Sequence, residues 1–142
     1  MGAEAKCAFG ALRFAAAQLP LYSERVNLSR LIDSVGKMSR AIDGAAAQLV
    51  CDDLPVIKEQ SKRAEESVAK LQQIVSGDGE RDEIFVLLHQ INNQLTGILS
   101  LTLLIKDDLA ADHASRPSLD DVDHAARDAA DSVKKVAAAL RK

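Results

Sequence analysis

The 142 residues contain no tryptophan, one tyrosine and three phenylalanines, so aromatic side chains make up only 3% of the chain. A core cannot be assembled around large rings here, and must come from Leu, Ile, Val and Ala, which is the composition of a helical bundle. Long apolar runs are absent too. No stretch reaches about 18 uninterrupted apolar residues, so no membrane span is expected. Glu4 and Arg13 interrupt the apolar start, which argues against a signal peptide, and Lys6 stands where a myristoylation signal needs Ser or Thr. The two cysteines, Cys7 and Cys51, form no CxxC or Cys/His metal spacing and read as reduced, packed thiols. A cytoplasmic protein is the expectation, and in one the sequon at Asn27-Leu28-Ser29 carries no meaning. The net charge is −3 with both signs interspersed, leaving no basic stripe or aromatic ladder for nucleic acid.

What the chain does have is apolar periodicity of three and four, which predicts an all-α fold of five helices with no strand. The first covers about residues 3–18 and stops before Pro20, with a linker at 20–27. The second, capped by Asn27, carries Leu28, Leu31, Val35, Met38, Ile42, Ala45 and Leu49 as a seam. Asp52 or Asp53 ahead of Pro55 starts the third, which runs to about Val75, and the glycines around Asp78 read as a helix stop and restart. The fourth, about 80–111, repeats the alternation at Ile84, Leu88, Ile91, Leu95, Ile98, Thr102, Ile105 and Leu109. After a turn at 113–117, the fifth starts from Ser118 as N-cap and carries Leu119, Val122, Ala126, Ala129, Val133, Val136 and Leu140. Residues 1–78 thus read as an N-terminal helical region, and 79–142 as an antiparallel helical hairpin.

His89 lies one position past the seam of the fourth helix and points into water, with Asn93 and Thr96 following on nearly the same face. Gln90 projects about 100° away. Asn92 and Asn93 are poor helix formers in mid-helix, each costing some tenths of a kcal/mol relative to Ala, so propensity does not account for them. Leu99 and Leu103 lie off the seam on the outward side, where an apolar contact surface for a partner would use them. Packing of either on the first helix is the plainer alternative. His113 and His124 lack comparable surroundings and read as solvated, as do the charges Lys62-Arg63 and Glu65-Glu66.

The run His89-Gln90-Ile91-Asn92-Asn93-Gln94-Leu95-Thr96 resembles the phosphoacceptor box H-E-I-N-N-P-L-T of the dimerisation and histidine phosphotransfer domain of two-component sensor histidine kinases. The resemblance covers roughly residues 80–141 and departs from the box at Gln90, where the family has an acid, and at Gln94, where it has proline. It implies a helical hairpin that pairs with a second copy into a dimeric four-helix bundle with exposed histidines. A hairpin cannot cover two apolar stripes alone, and intramolecular closure by the second and third helices is the other solution. It further implies that His89 accepts a phosphoryl group and exchanges it with the aspartate of a response-regulator receiver domain, which would bring its own Mg²⁺. Asn93 would orient water for receiver dephosphorylation or hold the ring, and Gln90, Thr96, Leu99 and Leu103 would belong to the docking surface. The family's acid assists attack on ATP, and no Asn box, Asp-x-Gly-x-Gly motif or Walker loop follows His89, so the phosphoryl group is expected from another protein. The chain itself is expected to bind no metal or cofactor. The monomeric HPt motif, H-x-x-K-G, is matched neither at His89 nor at His124. A second reading makes the chain a docking module without chemistry, sequestering a response regulator or inhibiting a histidine kinase through mixed bundles.

Overall fold

A computed structural model describes residues 22–77 and 80–141; the helix expected over 3–18 lies outside them. Every element among the described residues is an α-helix: α1 Tyr22–Ala46, α2 Asp53–Ser76, α3 Arg81–Asp108 and α4 Arg116–Leu140. The three-four alternation places one apolar stripe on each. Leu31, Val35, Met38, Ile42 and Ala45 of α1 are buried, as are Leu54, Ile57, Ala64, Val68, Leu71 and Val75 of α2. On α3 the buried line is Ile84, Leu88, Ile91, Leu95, Ile98, Thr102 and Ile105, and on α4 it is Leu119, Val122, Ala126, Ala129, Val133, Val136 and Leu140. Both lines follow the expected seams, with the closing Leu109 half-buried just beyond α3.

The connections at 47–52, 77–80 and 109–115 are too short to cross the bundle, so consecutive helices run antiparallel. Each helix packs on its chain neighbour, and α1 closes the ring against α4. The bundle is therefore complete within one chain. The seams of α3 and α4, for which a second copy was expected, are covered by α1 and α2, and residues from all four helices form one hydrophobic cluster. Small residues let α1 and α4 approach closely: Ala125, Ala126 and Ala129 are buried on α4, and a Cβ on Gly44 of α1 would stand 3.1 Å from Ser118 Oγ.

The helix ends differ from expectation in instructive ways. The start of α1 lies five residues before Asn27, which sits inside the helix rather than capping it. Ser115, not Ser118, precedes α4; Pro117 occupies its first turn, where a missing N–H costs nothing. His113 was expected to be solvated but is half-buried, its Nδ1 accepting from the Ser115 N–H at 3.1 Å and lying 2.8 Å from Ser115 Oγ. The Arg116 guanidinium reaches back across the turn and donates to the carbonyls of Lys106 (2.9 Å), which also accepts from the Leu109 N–H, and of Leu109 (3.2 Å), at the end of α3 where carbonyls run short of helical partners. Beside it Lys106 pairs with Asp120, and this hydrogen bond holds the Asp120 carboxyl below its ordinary value.

Candidate functional site

His89 stands exposed in the third turn of α3, and its neighbours Leu88 and Ile91 are buried. One residue of rotation separates the two roles, because successive side chains on a helix diverge by about 100°. The ring lies at the rim of a groove of about 510 Å³ between α3 and α4. The floor is apolar, formed by the buried Leu88, Val133 and Ala137. Phe85, His89 and Asn92 of α3 line one side at helical spacing; Lys134 of α4 and Arg141, just past its end, line the other. The Arg141 guanidinium lies over the Phe85 ring, 5.4 Å from its centroid, an arrangement that favours a cation by the ring's negative face. No carboxylate among the described residues lines this groove. Four further grooves on the described surface all include carboxylates.

The residues expected to act together are divided by the fold. Gln90 lines a different groove, about 380 Å³ between α2 and α3, with Lys70, Asp82, Glu83 and Val86. Asn93 is exposed but lines neither groove, whereas Asn92, half-buried, faces the same groove as His89. Thr96 is exposed, with its hydroxyl donating to the Asn92 carbonyl at 2.9 Å, which leaves the oxygen's lone pairs toward solvent. Leu99 is half-buried and packs against the core, because at this level of the bundle the apolar stripe of α3 widens between its neighbours; packing on the helix expected over 3–18 lies outside the described residues. Leu103 is 43% exposed and the adjacent Leu104 is 56% exposed, so an apolar patch does exist about 21 Å along the helix from His89. The helix runs unbroken through Gln94, where the resembled family has proline, and Gln94 Oε1 is buried without a hydrogen-bond partner among the described residues.

Phe85, Lys134 and Arg141 were missed by the sequence reading, and Asn92 was singled out only for its poor helix propensity. Hairpin register holds the signal that could have found the cations: counting equal numbers of residues outward from the 109–115 turn brings His89 opposite the Lys134-Lys135 pair. No group of three His, Cys, Asp or Glu side chains among the described residues is arranged to hold a metal ion. No described helix is long and apolar enough to cross a membrane. Comparison of the chain with protein-family models, with curated proteins and with solved structures gives no match.

Proposed function

We propose that this chain is a histidine phosphotransfer protein of the two-component type, in which His89 exchanges a phosphoryl group with the aspartate of a receiver domain. The observation that carries the reading is the exposure of His89 in mid-helix on a bundle whose core is complete without it. An unprotonated imidazole nitrogen attacks the phosphorus of the receiver's aspartyl phosphate; an N–P bond forms, the P–O bond to the aspartate breaks, and the carboxylate leaves. The receiver would bring the Mg²⁺ that balances charge on its own side of the transfer. This chain supplies an accessible nucleophile on a rigid helix, and needs nothing else bound to do so. Water positioning by Asn93 is a weaker part of the reading, since its side chain lies outside the groove that His89 borders.

The exposed Leu103 and Leu104 support a second reading, a docking module that binds a receiver or a kinase without chemistry. Two substitutions separate them. Incubation with phosphorylated receiver domains should label the protein in an acid-labile form, and His89→Ala should abolish the label while leaving receiver binding intact. Leu103→Arg should weaken receiver binding by placing a charge in an apolar contact. If no label forms and His89→Ala keeps full regulatory activity while Leu103→Arg loses it, the docking reading replaces phosphotransfer.

A further inference from the structure

We propose that the groove beside His89 is a binding site for a phosphoryl oxyanion, held by Lys134 and Arg141 from across the α3–α4 interface. This deepens the phosphotransfer reading and rests on it for the identity of the ligand; the preference for an anion rests on the groove alone. The chain is net negative, yet this groove gathers two cations, an amide and an imidazole and, among the described residues, no carboxylate. Chance mixing gives what the other grooves show, cations interleaved with acids.

Among the described residues the two cations also have no ion-pair partner. Along α4, Arg127 pairs with Asp123 at 3.1 Å and Lys135 with Asp131 at 3.0 Å, each one turn back along the helix. The residues four back from Lys134 and Arg141 are Ala130 and Ala137, and Asp131, three back from Lys134, pairs with Lys135. Arg141 is instead oriented by the Phe85 ring, and a guanidinium held that way keeps its N–H groups for another acceptor. Lys134 and Arg141 are seven residues apart, two turns on one face, so their charges converge on the same length of groove as Phe85 and His89. The C-terminal end of α4 carries a partial negative charge of about half a unit, which two full positive charges outweigh.

A phosphoryl group on or approaching His89 spreads its charge over three oxygens, and charge-assisted hydrogen bonds from a lysine and an arginine on the facing helix stabilise it in both states. Lys134 and Arg141 are in this sense positioning residues for the phosphoryl group, and Asn92 adds a neutral donor at the rim.

The test uses small probes, so that it does not depend on a protein partner. Orthophosphate is titrated into the full chain while the His89 ring resonances are followed by NMR. Separately, phosphoramidate is supplied as donor: its N–P bond breaks, ammonia leaves, and a new N–P bond forms to His89, read by phosphorus NMR. In the wild type, phosphate should shift the His89 resonances saturably. Lys134→Gln with Arg141→Gln should remove the saturation and slow phosphohistidine formation about tenfold, whereas Lys135→Gln changes neither. Both side chains are exposed, so the fold is expected to persist, and each single variant gives an intermediate loss. A double variant indistinguishable from wild type overturns the proposal, and if it still accepts phosphoryl from a receiver then phosphotransfer stands without the groove. Saturable, Lys134- and Arg141-dependent phosphate binding without any transfer from receivers supports the anion site and removes the phosphotransfer reading.

Discussion

The two hairpins of the bundle, α1–α2 and α3–α4, share a packing plan and differ in chemistry. Leu54, Ile57, Ser61, Ala64, Ser67, Val68, Leu71 and Val75 of α2 are buried in the same order and spacing as Leu119, Val122, Ala126, Ala129, Ser132, Val133, Val136 and Leu140 of α4. Leu31, Val35, Met38, Ile42 and Ala45 of α1 likewise correspond to Ile91, Leu95, Ile98, Thr102 and Ile105 of α3. Under this correspondence Ser29 takes the place of His89, Ile32 that of Asn92, Ala69 that of Lys134 and Ser76 that of Arg141. The second hairpin thus carries a histidine and two cations at exposed positions where the first carries Ser29, Ala69 and Ser76. Packing residues are alike because both hairpins must fill one core; site residues differ because exposure leaves them free to.

The sharpest way to break this comparison is to unfold it. Leu95→Ala and Met38→Ala truncate fully buried side chains on α3 and α1, and each should cost about 2–5 kcal/mol in urea unfolding. Both should move one shared transition, and two separable transitions would show that the hairpins are independent. Next comes Arg116, which adds side-chain donors to the backbone bond that ends α3, where α1 ends on backbone bonds alone, from the Ala47 N–H to the Asp43 carbonyl and the Gln48 N–H to the Ala45 carbonyl. Arg116→Ala should cost about 1–2 kcal/mol and speed amide exchange near the 109–115 turn, with that near Ala47 unchanged. Gly97→Ala replaces a mid-helix glycine where the new Cβ meets only the end of the Gln60 side chain at 3.2 Å; a gain of up to about 1 kcal/mol is expected from melting. Gly44→Ala should gain less, since the Cβ there meets the short Ser118 side chain at 3.1 Å. His89→Ala should change stability by no more than about 0.5 kcal/mol, the value for an exposed position.

The smallest effect is on pH dependence. Lys106 lowers the Asp120 carboxyl pKa in the folded state, so the pair's contribution is present above the ordinary value of 3.8 and is lost as pH falls through the lowered folded value. Asp120 is largely exposed, so the change is slight. Asp120→Asn should flatten the acid limb of the urea midpoint between about pH 5 and pH 2, and an unchanged limb would show that the pair does not couple to folding.

Most of the described fold was legible in the sequence because a buried stripe must repeat every three or four residues, and Leu, Ile, Val and Ala do so along each helix. The boundaries at Asn27 and Ser118 were not, because each residue can cap or continue a helix, and tertiary packing chose continuation. Closure within one chain was one of two solutions that periodicity allows; only the placement of α1 and α2 on the seams of α3 and α4 separates them. The exposure of His89 followed from its offset from the seam. Its neighbours across the groove did not, because Lys134 and Arg141 lie more than forty residues away and reach it only through hairpin register.

Closing the bundle with its own chain makes its folding a first-order event. The shape around His89 does not dissolve on dilution, as it would if two copies had to meet, and it should persist at the few molecules per cell at which a scarce protein operates. It also sets a stoichiometry. One bundle presents one His89, so a groove ligand should saturate at one equivalent per chain.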